Sequence, residues 1–358
     1  MEPPVTASLE HSFRGKRILL TGHTGFKGSW LAHWLAHLGA DVTGYALAPG
    51  YARSHFELLD LENRITHVEA DIRDAAAIRR VVEETRPDIV FHLAAQALVR
   101  RSYDQPKVTF DTNVSGAVNL LEALRPCDSL RALVFVTSDK AYLNKEWTWG
   151  YRESDELGGH DPYSASKAAA EMVFMAYRHS FFQSRPDVGV ASARAGNVIG
   201  GGDWAADRVI PDCMRALRDG EPIELRNPQA TRPWQHVLDP LHGYLVLAAA
   251  LLDSPPAFSS AWNFGPEIER GMTVREIADR AVECWGSGRV IEDRDREAVF
   301  EHVLLQLCID KAKLELGWLP LWSSAEAVER TVEWYLRVND GEPAQDVTQS
   351  QILEFMES

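Results

Sequence analysis

The chain has 358 residues, 45% of them apolar, and a formal net charge of -15. This length allows two or three domains or one large α/β domain with a cap, and the apolar share is enough for a sizeable core. The negative charge argues against a nucleic acid or an anionic membrane as a partner, although a local positive pocket could still bind an anionic ligand.

The four cysteines are scattered along the chain without paired spacing: Cys127, Cys213, Cys284 and Cys308. We interpret them as reduced thiols, and we predict no metal site. Residues 1–11 contain two glutamates and no apolar run, which is unlike a signal peptide. The longest apolar run, residues 244–252, is too short to span a bilayer, so we expect a cytoplasmic protein.

Short apolar runs alternate with segments of helical periodicity through the first half of the chain. The runs predict strands at 18–20, 42–45, 89–91, 133–136 and 188–193. The periodic segments predict helices at 30–38, 75–84 and 108–124. Such alternation implies right-handed crossovers and a parallel sheet covered by helices on both faces, which is a doubly wound, Rossmann-type α/β fold.

After about Asn197 this rhythm becomes irregular. A glycine-rich loop at 200–204 precedes predicted helices at 209–217, 273–285 and 325–336. We therefore expect a Rossmann domain over 13–197, with some later segments interleaved, and a smaller substrate-binding α/β cap over 198–340. Residues 1–12 and 341–358 are expected to be terminal extensions.

A glycine-rich turn joins the first strand to the first helix. Gly22, Gly25 and Gly28 allow a tight turn and a close approach to a ligand, and the next helix directs its free N–H groups at a phosphate. The order Lys27-Gly28-Ser29 differs from the Gly-Lys-Ser of nucleoside triphosphatases. The turn therefore indicates dinucleotide binding, and a simple tight turn is the alternative.

The acidic residue that often binds the cofactor's ribose, about 20 residues further on, is missing from this chain. Asp71 is a plausible adenine contact instead. No arginine directly follows the second strand, although Arg53 is near. The sequence therefore favours NAD over NADP.

Tyr163 and Lys167 lie one turn apart at the start of a predicted helix. Asp161 is a suitable N-cap, and Pro162 suits the first helical position. A free tyrosine has a pKa near 10, but a neighbouring ammonium, an oxidised nicotinamide and a helix N-terminus would favour the phenolate. That phenolate could deprotonate a carbinol whose oxygen is held by Ser138. An exposed helical pair without chemistry is the alternative.

Several of these features together resemble the extended short-chain dehydrogenase/reductases that act on nucleotide sugars. Beside the glycine turn and the Tyr163/Lys167 pair, Ala94-Ala95-Gln96 and Thr112-Asn113 carry the resemblance. The more specific segments are GHTGFKG at 22–28, TSDK at 137–140, WGYRE at 149–153, GGHDPY at 158–163, GNVIGGGDW at 196–204 and RPWQHV at 232–237. Within that superfamily the similarity, from about residue 13 to 335, is greatest to the 4,6-dehydratases that act on CDP-glucose.

The resemblance implies a three-step reaction with NAD as cofactor. Tyr163 would deprotonate the glucose 4-hydroxyl while the cofactor takes the 4-hydride, the C5 proton and the 6-hydroxyl would leave, and hydride would return to C6. Asp139 would protonate the departing hydroxyl. Many related dehydratases have a glutamate next as the C5 base, whereas this chain has Lys140, as in the CDP-glucose subgroup. Lys140 must be neutral to act as that base, or it stabilises the enolate by its charge. A surface ion pair with Asp139 is the alternative.

The predicted ligand contacts extend beyond the catalytic set. The cofactor contacts are Gly22, Thr24, Gly25, Phe26, Lys27, Gly28, Asp71, Ile72, Ala94, Ala95, Gln96, Asn113, Tyr163 and Lys167. The contacts for the nucleotide sugar, CDP-glucose, are Arg100, Asn197, Trp204, Arg208, Arg232 and Trp234. The Arg232 guanidinium suits a diphosphate, with a domain-bridging salt link as the alternative. Trp204 and Trp234 would line the nucleobase pocket, and packing within the protein without a ligand contact is the alternative for each.

Three other functions remain open at this point. A dehydratase for another nucleotide sugar would have the same motifs. A nucleotide-sugar 4-epimerase would use Tyr163 and Lys167 without elimination, and Asp139 argues against it. A non-catalytic NAD-sensing regulator would commonly lack that pair. The resemblance also implies a homodimer or a tetramer, with helices 108–124 and 163–182 as the candidate interface.

Overall fold

A computed structural model describes residues 5–225, 227–267, 271–292 and 304–358. Its strands are β1 (Arg17–Thr21), β2 (Asp41–Ala46), β3 (Thr66–Glu69), β4 (Ile89–His92), β5 (Ala132–Val136), β6 (Gly189–Ala195), β7 (Val198–Ile199), β8 (Ile223–Leu225), β9 (Thr231–Arg232), β10 (Gln235–His236), β11 (Ala261–Phe264), β12 (Met272–Thr273) and β13 (Val290–Glu292).

The α-helices are α1 (Val5–Phe13), α2 (Phe26–His37), α3 (His55–Leu58), α4 (Ala75–Thr85), α5 (Val99–Asp104), α6 (Pro106–Phe110), α7 (Gly116–Leu124), α8 (Pro162–Tyr177), α9 (Val209–Asp219), α10 (Leu238–Asp253), α11 (Pro255–Phe258), α12 (Val274–Trp285), α13 (Asp310–Leu316), α14 (Ser324–Asn339) and α15 (Ala344–Glu357). Short 3₁₀ helices cover Leu61–Asn63 and Asp139–Ala141, and π-helical turns cover Asp111–Ser115 and Arg178–Phe182. None of the helices in the described ranges is long and apolar enough to cross a membrane.

Seven strands form a parallel sheet in the order β11-β6-β5-β4-β1-β2-β3. The predicted Rossmann-type fold is confirmed, and all five predicted strands lie in this sheet. The chain leaves β1 toward β2 and then returns to β4 on its other side. This reversal opens a crevice at the carboxyl ends of β1 and β4, where ligands bind in such sheets.

Two strands of the sheet were not predicted. β3 is an edge strand whose residues are only partly buried, so it lacks an apolar run. β11 comes from the second half of the chain and pairs with β6, which buries Trp262 and Phe264 completely. The later part of the chain therefore completes the sheet that the first part begins.

The core lies on both faces of the sheet, as expected where parallel strands are covered by helices. Ile18 and Leu20 of β1 face the cluster formed by α2 and α10, whereas Leu19 faces the cluster formed by α4 and α7. All five residues of β5 are buried. The ends of β1, β4 and β5 are thereby held rigidly below the crevice.

The helix predicted over 108–124 is interrupted by the π-helical turn Asp111–Ser115. Asn113 in this turn is buried and directs its side chain toward the carboxyl end of β4. Its Oδ1 accepts from the backbone N–H of Gln96 at 2.8 Å. Its Nδ2 donates to the backbone carbonyl of Gln96 at 3.1 Å and to Ser166 Oγ at 2.8 Å. Turns of this kind are frequent at functional sites, and this one links the β4 end to α8.

The C-terminal helix α15 packs against the first part of the fold. Thr348 is fully buried, and its Oγ1 lies 3.0 Å from His55 Nε2 and accepts from Trp334 Nε1 at 2.9 Å. His55 Nδ1 lies 2.8 Å from Ser29 Oγ on α2. Helix α15 therefore supports the helix that begins at the glycine turn.

A buried ion pair joins α8 to the sheet. Glu171 and Arg194 are almost fully buried, and Arg194 Nη2 donates to Glu171 Oε2 at 2.8 Å. The same oxygen accepts from Ser192 Oγ at 2.9 Å, and Glu171 Oε1 accepts from Thr137 Oγ1. Both carboxylate oxygens thus hold polar groups from the ends of β5 and β6.

Replacement of Glu171 by Gln should lower the free energy of unfolding by about 3 kcal/mol, because Arg194 then stays buried without a counter-charge. Urea denaturation followed by circular dichroism measures this change. The double variant Glu171→Gln/Arg194→Met should recover most of the loss. Glu122→Gln is the control, since Glu122 is half-exposed and its change should stay within about 0.5 kcal/mol. A loss below about 1 kcal/mol for Glu171→Gln would contradict the structural role of the pair.

Candidate active site

The glycine turn at the end of β1 has the geometry of a phosphate cradle. Gly22 has φ of 81°, and a Cβ there would lie 2.7 Å from the Ala94 nitrogen. A Cβ on Gly28 would lie 2.1 Å from the Gly22 carbonyl oxygen, so both positions require glycine. Helix α2 has Gly25 as its N-cap and no side-chain cap, which leaves its first amides available to a ligand. The cradle therefore fits the pyrophosphate of a dinucleotide.

The predicted cofactor contacts on the neighbouring strands lie along the same crevice. Ala94 N donates to Thr21 Oγ1 at 3.2 Å, and Thr24 Oγ1 donates to the Leu47 carbonyl at 2.9 Å. Ile72 is buried against Gly116. Ala95 and the buried Gln96 follow β4, beside Asn113.

Asp71 is engaged within the protein, beside the end of β3. Its carboxylate accepts from Arg73 Nε at 2.9 and 3.0 Å and from Arg73 Nη2 at 2.5 Å. The hydrogen bonds from Arg73 lower the pKa of Asp71. If Asp71 also binds adenine, its carboxylate must do so while it remains hydrogen-bonded to Arg73.

The segment after β5 forms a compact polar turn. Ser138 caps the 3₁₀ helix Asp139–Ala141, and its Oγ accepts from Lys140 N at 3.2 Å. Ser138 Oγ donates to Asp139 Oδ1 at 2.8 Å, and Lys140 N donates to the same oxygen at 2.8 Å. A Cβ on Gly196 would lie 3.0 Å from Asp139 Oδ2, so the end of β6 comes close to the second oxygen.

Asp139 and Lys140 are not a surface ion pair. Asp139 is buried, and burial raises its pKa despite the opposing charges of Lys140 and Arg232. Lys140 is half-buried, and the described residues place no carboxylate within 4.0 Å of its Nζ. A raised pKa favours the protonated carboxyl group, which suits a general acid.

The start of α8 has the predicted local structure. Asp161 accepts from Ser164 N at 3.0 Å, and Pro162 occupies the first helical turn. Tyr163 and Lys167 are both buried, so they are not an exposed helical pair. Burial lowers the pKa of Lys167 to about 8, with Glu171 opposing that shift.

Burial raises the pKa of Tyr163 to about 12. Hydrogen bonding with Ser138 and the charge of Arg208 oppose this increase. We expected Lys167 to stabilise the phenolate, whereas the cation whose charge acts on Tyr163 here is Arg208. A bound oxidised nicotinamide would add a further positive charge next to the phenol.

Lys27 extends from the glycine turn toward the catalytic groups. Its Nζ donates to Tyr244 Oη at 3.3 Å and lies 5.7 Å from the centre of that ring. Burial and the charges of Lys167 and Arg208 lower the pKa of Lys27 to about 8, and Asp139 opposes them. Sequence reasoning missed Tyr244, because it lies within an apolar helix and belongs to no motif.

The glycine-rich loop after β7 places Arg208 over the site. A Cβ on Gly201 would lie 2.0 Å from Trp334 Cγ, so the loop passes close to α14. Arg208 Nη1 donates to the buried Asp203 at 2.8 Å. Tyr51 also reaches this group, and Asp203, the Trp204 backbone and Arg208 all affect its pKa, which burial raises. Tyr51 was not predicted, because nothing in its local sequence marks it.

The other predicted substrate contacts have different surroundings. Arg232 is partly buried near Asp139, and Asn197 lies at the end of β6. Arg100 on α5 is exposed, and its guanidinium lies 3.3 Å from the carboxylate of Asp207, which follows the glycine-rich loop.

Trp204 and Trp234, the two predicted nucleobase contacts, both make contacts within the protein. Trp234 is buried and donates to the Met272 carbonyl at 3.3 Å. Trp204 packs edge-on against Tyr335 with ring centres 5.0 Å apart, and its Nε1 has no hydrogen-bond partner among the described residues.

Comparisons with known proteins agree with this geometry. The chain is 46% identical to the CDP-glucose 4,6-dehydratase of Salmonella typhimurium over 96% of its own length and 97% of that protein. Its fold is similar to a dTDP-glucose 4,6-dehydratase of Streptomyces venezuelae solved with NAD and TYD bound, with a TM-score of 0.75, 26% identity and coverage of 91% and 98% of the two chains. It is also similar to a UDP-glucose 4-epimerase of Thermotoga maritima solved with UDP-glucose, with a TM-score of 0.76, 25% identity and coverage of 90% and 98%.

A family model described as GDP-mannose 4,6 dehydratase matches residues 19–331, which include the glycine turn, the polar turn after β5 and the start of α8. The resemblance to nucleotide-sugar dehydratases is thereby confirmed. The chain belongs to the GDP-mannose 4,6-dehydratase family.

Proposed function

We propose that this protein is a NAD-dependent dehydratase that converts CDP-D-glucose to CDP-4-dehydro-6-deoxy-D-glucose. The observation that carries the proposal is the polar turn of Ser138, Asp139 and Lys140 beside Tyr163. A simple alcohol oxidation needs no buried acid there, whereas loss of water does. The 46% identity to a CDP-glucose 4,6-dehydratase supports the same reaction and the same nucleotide.

The crevice above β1 and β4 is the proposed NAD site. When bound, NAD accepts a hydride from the sugar and later returns it. The Gly22–Gly28 turn and the first backbone amides of α2 would hold the pyrophosphate of NAD. Asn113 would fix the backbone of Gln96 beside the cofactor. Two solved proteins with this fold, a dTDP-glucose 4,6-dehydratase and a UDP-glucose 4-epimerase, were crystallised with NAD bound, which supports this assignment.

Oxidation at C4 is assigned to Tyr163. As a phenolate it removes the proton of the 4-hydroxyl, which lets the hydride leave from the same carbon. Arg208 provides positive charge for the phenolate, and Ser138 is assigned to hydrogen-bond it. Lys167 is buried one turn further along α8, and its catalytic role stays a prediction. The ketone at C4 then acidifies the C5 proton.

Elimination is assigned to the turn after β5. Asp139 gives its proton to the 6-hydroxyl, which leaves as water, because the raised pKa of Asp139 lets it carry that proton. Lys140, the next residue, is the proposed C5 base. Lys140 is half-buried, and no carboxylate of the described residues lies within 4.0 Å of its Nζ, so no ion pair occupies the ammonium group.

The diphosphate side of the substrate is assigned to the basic residues around the glycine-rich loop. Arg232 lies near Asp139, and Arg208 lies near Tyr163, so both are close to the sugar. Asn197 and Arg100 would contact the nucleotide further out. Trp204, whose Nε1 has no hydrogen-bond partner in the described part of the chain, is a better candidate than Trp234 for the nucleobase.

The protein is proposed to act in the cytoplasm. All four cysteines are free thiols in the structure, which agrees with a reducing compartment.

A panel of CDP-, dTDP-, UDP- and GDP-glucose tests the substrate assignment. The protein with NAD should convert CDP-glucose to a 4-keto-6-deoxy sugar, detected by its absorbance in alkali, at least about 100-fold faster than the others. Fast conversion of another sugar would change the nucleobase assignment. Return of CDP-glucose as its C4 epimer would favour the epimerase, whose solved relatives share the fold.

Lys140→Ala should leave C4 oxidation detectable while lowering release of the 4-keto-6-deoxy product by about 100-fold or more. Oxidation is followed by the absorbance of the reduced cofactor, and product is followed by the alkali assay. Lys140→Arg distinguishes the two roles, because arginine keeps the charge but does not release its proton. If Lys140→Arg forms no 4-keto-6-deoxy product, Lys140 acts as the C5 base. If Lys140→Arg keeps part of the product formation, the charge of Lys140 stabilises the enolate.

The control for these variants is Lys145→Ala. Lys145 follows in the same segment but pairs with Glu156 at 2.8 Å on the surface, so its loss should leave both steps unchanged. Equal loss of oxidation and elimination in Lys140→Ala would contradict a specific role in elimination.

A homodimer through α6 and α8 is proposed from an apolar surface on those helices. Both α5 and α6 pack against α8. The exposed large apolar residues on and beside them are Tyr103, Phe110, Met172, Met175 and Phe181. Exposed apolar residues grouped in this way are typical of a protein interface.

Met172→Glu should shift the protein from dimer to monomer in light scattering, because it places a charge in that interface. Leu314→Glu is the control, since Leu314 on α13 is even more exposed but lies outside the surface. A monomeric parent protein, or dissociation by Leu314→Glu alone, would contradict the interface.

A further inference from the structure

The glycine-rich loop after β7 and the residues that follow it run across the crevice of the proposed active site. A Cβ on Gly200 would lie 3.1 Å from Phe26 Cζ, so the loop begins against the glycine turn that forms the phosphate cradle. Beyond the loop, the carboxylate of Asp207 lies 3.3 Å from the guanidinium of Arg100 on α5, the helix that follows β4. Arg208 is the next residue. The position of this loop therefore determines where Arg208 stands above the crevice.

Two glycines of this loop rest on three buried aromatic rings. Trp30 Nε1 donates to the Gly201 carbonyl at 2.9 Å, and a Cβ on Gly202 would lie 2.4 Å from His55 Cδ2. His55 stacks on Trp30 with ring centres 5.0 Å apart, and it meets Trp334 edge-on at 5.5 Å. All three of these side chains are buried. His55 therefore lies at the centre of the surface that supports the loop.

The hydrogen bonds on the two sides of His55 have one consistent set of directions. Ser29 Oγ donates its only proton to the Phe26 carbonyl at 2.9 Å, so it accepts from His55 Nδ1 at 2.8 Å. Thr348 Oγ1 accepts from Trp334 Nε1 at 2.9 Å, so its own proton is free to go to His55 Nε2 at 3.0 Å. A neutral imidazole donates at one nitrogen and accepts at the other, which satisfies both neighbours when the proton is on Nδ1. Burial also lowers the pKa of His55 well below its ordinary value, which favours the neutral ring.

We propose that His55 is a positioning residue for the substrate: as the neutral Nδ1–H tautomer it holds the loop in the place from which Arg208 binds the diphosphate. Asp203, which follows Gly202, accepts from Arg208 Nη1 at 2.8 Å, so a displaced loop takes the guanidinium with it. His55 is 1% exposed and does not itself reach a ligand. The inference rests on the proposed function, which assigns the diphosphate to Arg208.

The alternative is that His55 only fills space below the loop. Filling space does not depend on which ring atom faces the loop, whereas here both ring nitrogens are hydrogen-bonded, one to α2 and the other to α15. These two bonds prevent the ring from turning over, so Cδ2 is the atom that faces Gly202. Through Thr348, the C-terminal helix thereby takes part in holding the substrate.

The first test measures binding of CDP, which has the diphosphate but no sugar, by isothermal titration calorimetry. Thr348→Val nearly keeps the shape of the side chain but removes the hydroxyl that joins Trp334 to His55. The dissociation constant of CDP should rise by about 10-fold, because two buried hydrogen bonds are lost and the loop is no longer fixed. The dissociation constant of NAD should stay within about 2-fold, because backbone groups of the glycine turn form its cradle. Thr348→Ser keeps the hydroxyl and should bind CDP within about 2-fold of the parent protein.

Thr331→Val is the matched control. Thr331 is also fully buried, but its Oγ1 donates to the Ala327 carbonyl within α14 at 2.6 Å, away from the hydrogen bonds at His55. Its CDP affinity should equal that of the parent protein. Unchanged CDP binding in Thr348→Val, equal weakening of CDP and NAD, or equal weakening of CDP in Thr331→Val or Thr348→Ser would overturn the positioning role.

A second measurement needs no variant, so it decides the question even if Thr348→Val does not fold. In protein labelled with ¹⁵N-histidine, long-range ¹H–¹⁵N correlations distinguish the two tautomers of each ring, and His55 is identified by its contacts to the ring protons of Trp30. We expect the neutral Nδ1–H form from about pH 6 to about pH 8 without titration. The Nε2–H form, or a protonated ring in that range, would overturn the proposal.

Failure of the proposed function gives a different result. The parent protein itself would then neither bind CDP nor dehydrate CDP-glucose, and the positioning role would be rejected with it. Failure of the positioning role alone leaves CDP binding and dehydration by the parent protein intact.

Discussion

The buried carboxylate of Glu171 is the contact on which the geometry of the site depends. It accepts hydrogen bonds from Arg194, Ser192 and Thr137, so it fixes α8 against the ends of β5 and β6. Ser138 follows Thr137, and Tyr163 lies two turns before Glu171 on α8. The start of α8 and the polar turn after β5 therefore lie side by side because one buried carboxylate holds both elements.

The site concentrates positive charge in a chain with a net charge of -15. Lys27, Lys167 and Arg208 act on one another or on Tyr163 across one crevice, and the ammonium groups of the two lysines have lowered pKa values of about 8. Keeping cations close together costs free energy unless a ligand brings negative charge. A dinucleotide and a nucleoside diphosphate sugar both bring phosphates, so the local positive charge suits the proposed ligands despite the negative charge of the whole chain.

The sequence predicts those parts of the fold and site that local chemistry determines. Asp161 and Pro162 mark the start of α8, and the apolar runs mark five strands. It does not predict β3 and β11, because an edge strand and a late strand lack a clear pattern. Tyr244 and Tyr51 reach the crevice only through long-range packing. The charge acting on Tyr163 also depends on tertiary structure, since Arg208 comes from a loop beyond β7.

We propose that oxidation and elimination occur on one sugar in one site. This is tested by converting CDP-[4-²H]glucose in ordinary water and analysing the product by NMR. Deuterium should leave C4 and appear in the C6 methyl group of the same molecule, which is shown by mixing labelled with unlabelled substrate. Deuterium retained at C4 of a sugar that still carries its 6-hydroxyl, or deuterium scrambled between molecules, would contradict it.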